Sequence, residues 1–200
     1  RGLGDVYKRQ ILVDRWGVPH IYAETEDDLF FAQGFYAARD RLFQFEIWRR
    51  QATGTVSEIT GERDFKRDLG TRLFLFRKDI VREMNYYHPR GAKIITSFTE
   101  GVNAYINYIN VTPDKLPIEF QMLNIRPQLW TPEVVISRHQ GLLGNIGSEL
   151  RYGRQVQAIG AKLTEQLNWF HPWDNPVLEL DKKIENVDLN KNILELYDAF

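Results

Sequence analysis

Cysteine is absent from the 200 residues. That excludes disulfides, thiolate nucleophiles and cysteine-ligated zinc or iron–sulfur centres within the chain. It leaves the compartment open, because a cysteine-free chain suits a reducing cytosol and a thiol-oxidising periplasm alike. An excess of one charge is also missing: 26 Lys and Arg against 27 Asp and Glu give a formal net charge of -1. Such balance argues against a general electrostatic grip on nucleic acid or an anionic membrane, so neither is expected as a partner. No apolar run approaches the roughly 18 residues of a membrane span.

The usual signatures of a self-contained active site are lacking as well. Ser57, Ser97, Ser137 and Ser148 are the only serines, and none lies in a G-x-S-x-G elbow. His20, His88, His139 and His171 are scattered, without the H-E-x-x-H spacing of a zinc protease. There is no G-x-G-x-x-G and no phosphate loop. The opening decapeptide RGLGDVYKRQ is polar, has no apolar signal-peptide core, and differs in character from the rest of the chain. Residues 1–10 are therefore read as a non-native leader and set aside.

The remainder is ordinary globular material: 43% hydrophobic, 26% charged and 13% aromatic residues leave little room for disorder. Ile11–Asp14 and His20–Ala23 read as strands around a turn at Trp16-Gly17-Val18-Pro19. One hairpin is marginal alone, so these strands call for a sheet supplied from elsewhere. A long helix is expected over Glu26–Ala52. Thr25 and Asp28 stand at capping-box spacing, acids fill the first turn, and Gly54 supplies the stop. Leu29, Phe31, Phe35, Ala38, Leu42, Phe45 and Trp48 give it one apolar stripe. A loop with Gly54, Gly61 and Gly70 then leads to helical Leu73–Tyr87. Further helices fit Ala92–Ile109, Pro132–Leu143 and Gly153–Leu167, with Leu116–Pro132 in short turns and links. From His171 the pattern loosens into a proline-broken, polar segment.

A series of specific words runs along this frame. Val13-Asp14-Arg15-Trp16-Gly17-Val18-Pro19-His20-Ile21-Tyr22-Ala23 is followed by Asp28-Leu29-Phe30-Phe31-Ala32-Gln33-Gly34. Ala38-Arg39-Asp40-Arg41-Leu42-Phe43-Gln44 and Arg49-Arg50-Gln51-Ala52-Thr53-Gly54 come next. Gly101-Val102-Asn103-Ala104-Tyr105, Leu116-Pro117-Ile118-Glu119-Phe120 and Pro127-Gln128-Leu129-Trp130-Thr131-Pro132 continue in order. Over about residues 11–150 the combined pattern resembles the penicillin acylase family of N-terminal-nucleophile hydrolases.

The resemblance implies an α+β protein with a four-layer αββα fold when complete, this chain being mainly helical with N-terminal strands. It implies a periplasmic or secreted precursor that cuts itself into an α-chain and a larger β-chain, with a serine as first residue of the β-chain. The logic is chemical. A serine hydroxyl is a weak nucleophile until a base takes its proton. A free α-amino group has a pKa near 8 and is partly neutral at about pH 7. Cleavage before the serine thus creates nucleophile and base together. On this reading residues 11–170 are α-chain, 171–200 are its end and the start of a spacer, and no catalytic residue lies within the chain. The expected partners are the β-chain and a small N-acyl amide, such as a β-lactam. An N-acyl-homoserine lactone is the alternative substrate, and a non-catalytic helical binding module is the alternative of another class.

Individual residues carry two readings each. Asp40, Arg41 and Gln44 are either substrate contacts or, as the favoured reading, a buried polar network. Arg49 and Arg50 read as a helix-end charge pair, and His20 as a hydrogen-bonded structural histidine. Glu149 comes after a Gly-rich bend at Gly144–Ser148. It is either a surface acid or, by resemblance, a ligand of a structural calcium ion shared with β-chain carboxylates. Leu142 and Leu143 are either core or, by resemblance, part of the wall of an aliphatic acyl pocket.

Overall fold

The computed structural model describes residues 9–75, 78–140, 145–173, 175–184 and 186–199. The chain divides into two compact units that part between His139 and Gln140.

The first unit opens with β1 (Arg9–Val13) and β2 (Pro19–Ala23), paired antiparallel with Ile11 opposite Ile21 and Val13 opposite Pro19. The Asp14 side chain shapes the turn: its Oδ1 accepts from the backbone N–H of Trp16 at 2.9 Å and of Val18 at 3.0 Å. Such local side-chain bonds replace ladder bonds that a turn cannot make. Leu12, Val13 and Tyr22 stay exposed on this two-stranded sheet.

Helix α1 (Glu26–Thr53) begins and ends where the sequence signals it. Thr25 Oγ1 accepts from the Asp28 N–H at 3.1 Å and donates to the Asp28 carboxylate at 2.8 Å. At the other end Gly54 takes the left-handed conformation, φ 65°, and its N–H returns to the Arg50 carbonyl. The helix is not continuous. Arg41, at φ -132° and ψ 35°, breaks it into two helical stretches. The apolar stripe is deep only from Ala38 onward: Ala38, Leu42 and Phe45 are buried, whereas Leu29 is 38% exposed.

The expected loop after Gly54 is instead helical. It contains α2 (Ser57–Thr60), a 3₁₀ turn at Gly61–Asp64, and α3 (Phe65–Phe74). The expected helix over Leu73–Tyr87 is interrupted: Leu73 and Phe74 close α3, Leu75 is extended at ψ 134°, and α4 starts only at Ile80 while ending at Tyr87 as expected. The physical reason is Asp68, buried in α3. Its carboxylate accepts from the N–H groups of Val56 at 3.0 Å and Ser57 at 2.8 Å and from the Ser57 hydroxyl. A side chain of α3 thereby satisfies the free donors at the start of α2.

After α4 (Ile80–Tyr87), α5 (Gly91–Asn110) packs along α1. Glycines set the spacing. A Cβ on Gly34 would stand 2.1 Å from the Phe98 carbonyl oxygen, and one on Gly101 would stand 2.0 Å from that of Phe31. The core lies on this seam, where Leu42, Phe45, Val102 and Ile106 are joined by Phe120 of α6 (Ile118–Met122), Trp130, and Val134 of α7 (Pro132–Gln140). Asn103 fixes the 127–132 link by accepting from the Trp130 N–H at 2.8 Å and donating to its carbonyl at 2.9 Å.

The second unit is built on α8 (Asn145–Leu167), interrupted at Gly160 (φ 79°, ψ 162°), with α9 (Asn186–Asn190) and α10 (Glu195–Ala199). Residues beyond 171 are thus not wholly irregular: Leu189 of α9 is 6% exposed. Arg154 of α8 holds this trailing segment, donating to the carbonyls of Leu189 at 2.5 Å and Lys191 at 3.0 Å.

Candidate functional site

Leu142 and Leu143 lie outside the described residues. Glu149 is described, but not on a bend: Asn145 onward is helical, and Glu149 sits exposed in the second turn of α8. Its neighbours on the helix, Leu150, Gly153 and Val156, face a groove of about 790 Å³ whose other wall includes Phe170, Leu180 and Leu189. The two walls meet closely at Gly153. A Cβ there would already be in van der Waals contact, 3.5 Å, with the ends of both Leu180 and Leu189. Tyr152 and Phe170 pack beside it, ring centroids 5.1 Å apart and planes tilted by 55°. Glu149, Glu179, Asp181 and Asp188 all border the groove, against the single Lys183.

Calcium takes six to eight oxygen ligands, about 2.3–2.6 Å away. Among the described residues no group of three or more Asp, Glu or His side chains comes close enough to hold a metal ion. Glu149 therefore fits calcium only as a single exposed oxygen donor whose companions come from elsewhere. The described residues by themselves form no such cage.

The buried polar network exists, but not where the sequence pattern places it. Asp40 and Arg41 pair with each other at 2.9 Å while both side chains are more than half exposed. Gln44 is exposed. One turn further on, Glu46 is 1% exposed and accepts from Arg49 at 2.7 and 3.1 Å, from Arg50 at 2.8 Å, and from the Gln128 N–H at 3.1 Å. Arg50 continues to Glu58 at 2.7 Å and to the Thr55 carbonyl at 3.1 Å. Arg49 and Arg50 thus stand near the helix end as expected, Arg50 in its last turn, but as members of a largely buried ion cluster. Glu46 escapes a reading of the sequence because it is one polar residue among apolar ones. The signal that could have found it is its i, i+3 and i, i+4 spacing to two arginines.

His20 has the structural role expected, with Nε2 3.3 Å from the Asp14 carboxylate in an exposed pair. The Asp14 carboxyl is held below its ordinary range. The Val18 N–H is the largest cause, partly opposed by desolvation, with His20 and the Trp16 N–H adding to the lowering. The Ser57 hydroxyl is engaged as part of the Asp68 cap. Both groups serve local structure here, His20 at the hairpin turn and Ser57 at the start of α2.

Residues 8–178 match the family model for penicillin amidase. The chain belongs to that family. Across 137 residues it is 34% identical to the penicillin G acylase of Escherichia coli, covering 68% of this chain and 16% of the relative. It is 27% identical over 181 residues to the acyl-homoserine lactone acylase QuiP of Pseudomonas aeruginosa, covering 88% of this chain and 21% of the relative. Among solved structures, a thermostable penicillin G acylase from Alcaligenes faecalis superposes with a TM-score of 0.64 at 25% identity. That match covers 84% of this chain and 95% of the solved one. The penicillin amidase fold expected for this portion, helical with two leading strands, is the fold observed. The chain spans about a fifth of the length of these curated relatives, 16% of the first and 21% of the second. No helix among the described residues is long and apolar enough to cross a membrane.

Proposed function

We propose that this chain is the α-chain portion of an amide hydrolase that removes an acyl group from a β-lactam or related N-acyl compound through an acyl-serine intermediate. The observation that carries the reading is the family match over residues 8–178, joined to a superposition covering 95% of a penicillin G acylase chain. The nucleophile would be the N-terminal serine of a separate β-chain produced by self-cleavage of a periplasmic or secreted precursor. Its own α-amino group would take the hydroxyl proton, and β-chain donors would hold the oxyanion.

Within that division of labour this chain supplies structure and part of the binding surface. Residues 11–170 form the α-chain, and 171–200 its end and the start of a spacer. Leu142 and Leu143 line an aliphatic acyl pocket. Glu149 would give one carboxylate to a structural calcium ion shared with the β-chain, and such an ion would supply folded-state stability. Restoring the full-length precursor and supplying penicillin G and N-acyl-homoserine lactones in parallel tests the reading. Self-cleavage followed by release of free amine from either substrate is expected. Preference for the lactones would favour the second substrate class. A folded, complete precursor that neither cleaves itself nor hydrolyses any amide would leave the binding-module reading in its place.

A further inference from the structure

The starts of α1 and α5 are joined by two ion pairs, Glu26–Arg90 at 2.8 Å and Asp27–Lys93 at 2.6 Å, and the helices run on in the same direction. Phe35 of α1 then meets Tyr105 of α5 edge-on, ring centroids 5.4 Å apart. Arg39 stands one turn after Phe35, and Tyr108 one turn after Tyr105, so both come onto the same stretch of surface. Lys115 joins them from the 3₁₀ turn Pro113–Lys115, its Nζ donating to the Tyr108 hydroxyl. The Arg39 guanidinium is held over the Tyr36 ring, 5.3 Å from its centroid.

This surface carries donors with almost nothing to donate to. Among the described residues, Arg39 and the Tyr105 hydroxyl make no hydrogen bond, and no carboxylate pairs with Arg39 or Lys115. Tyr108 accepts from Lys115 and keeps its own proton to give. The acids next in sequence do not neutralise the cations. Asp40 is turned to Arg41 at 2.9 Å, and Asp114 favours the charged form of Lys115 without forming an ion pair with it. Burial pushes the Tyr105 phenol up, while Arg39 and Lys115, close enough to act on it, pull the other way. Tyr105 therefore remains a proton donor at neutral pH.

We propose that Arg39, Tyr105, Tyr108 and Lys115 bind the phosphate group of a small soluble molecule. Charge and donor number select that anion. A phosphate monoester carries about -1.5 to -2 at pH 7 and three acceptor oxygens, which match two cations and two phenol hydroxyls. A carboxylate brings one charge and two oxygens and leaves donors unused. A polyanion or a bilayer calls for an extended basic surface, which a chain of net charge -1 with Asp40 and Asp114 beside these cations does not offer. The inference holds whether or not the acyl-serine reading does.

Equilibrium dialysis of radiolabelled inorganic phosphate against the full-length precursor tests it. One phosphate should bind per chain with a Kd below about 1 mM. Arg39→Gln and Lys115→Gln should each weaken binding about ten-fold, since each removes a charge-assisted contact, and Tyr108→Phe about three-fold. Lys162→Gln, at an exposed lysine of α8, should bind as wild type. All four variants should melt with wild type, because the four side chains are exposed. Sodium acetate should compete only at about ten-fold higher concentration than unlabelled phosphate. Absence of bound phosphate, equal affinity in wild type and Arg39→Gln, or acetate competing as well as phosphate overturns the proposal. So does binding to phosphatidic acid vesicles without binding of free phosphate, which assigns the cluster to a lipid headgroup.

Discussion

Gln128 points its backbone N–H at the Glu46 carboxylate, 3.1 Å away and 82 residues later in the chain. That bond ties the link before α7 to the C-terminal part of α1, at a side chain already shared by Arg49 and Arg50. Removing one member of a buried ion cluster leaves the others charged and desolvated, at a cost of about 3–5 kcal/mol. Glu46→Gln keeps the volume and one acceptor, so a loss near the lower end, about 3 kcal/mol, is expected. Urea unfolding of the precursor measures it, with Glu58→Gln, whose side chain is 62% exposed, as the mild comparison. Equal midpoints for the two variants would mean that the cluster contributes no more than a surface pair.

The α1–α5 seam gives a second prediction. Gly34→Ala or Gly101→Ala places a methyl group about 2 Å from a backbone carbonyl oxygen of the facing helix, where no side chain can yield. The helices must separate and the core around Val102 and Ile106 must loosen, a penalty of about 1–3 kcal/mol or more from overpacking. The double variant should cost less than the sum of the singles, because one separation relieves both contacts. Additive losses in thermal unfolding would show that the two contacts are independent.

The range of each interaction decides how much of the fold is legible in the sequence. Thr25, Asp28 and Gly54 act within one turn of their own positions, so both ends of α1 can be read from spacing alone. The hairpin turn, governed by Asp14 acting on Trp16 and Val18, is equally local. Asp68 acts on residues 11 and 12 positions earlier, and that long reach is why a glycine-marked segment that reads as loop is helix. The same applies to Glu46, whose partner Gln128 no periodicity could supply. The break at Arg41 has no proline or glycine to announce it, and nothing in the structure explains why it falls there. Of the site, Glu149 stands out only by its place in a family pattern. Its helical setting is hidden because Gly144 and Gly147 resemble a bend.

Asp14 confers a pH dependence on the hairpin turn. Its folded-state carboxyl is lowered by accepted N–H bonds and by His20, so the contribution is present above the unfolded pKa, about 3.9, and is lost as pH falls through the lower folded value. Amide exchange at Val18 should therefore be slow and steady above about pH 5 relative to the intrinsic rate, and lose protection below about pH 4. Asp14→Ala should show little protection at either pH. Protection in wild type that persists unchanged to strong acid would remove the carboxylate from the turn's stability.

Glu149 decides whether the resemblance extends to a metal. Its carboxylate is exposed, and the described residues place no cluster of three or more acidic or histidine side chains around it, so a calcium ion there would need further ligands beyond them. Loss of one anionic ligand weakens a hard-cation site through both charge and ligand number. Because bound metal stabilises the folded state by mass action, the deficit should shrink as calcium rises. Glu149→Ala in the full-length precursor should therefore melt lower or mature less completely than wild type, with excess calcium restoring part of the difference. Glu165→Ala, which removes an exposed glutamate further along α8, should behave as wild type throughout the titration. Matured Glu149→Ala enzyme should keep most of its turnover per active site, since a bridging ion acts on assembly and not on the serine. If calcium leaves all three proteins indistinguishable in melting and maturation, Glu149 is a surface acid. If instead the matured variant loses most of its turnover, the carboxylate stands close to the reacting amide, and its role is to be sought in substrate binding.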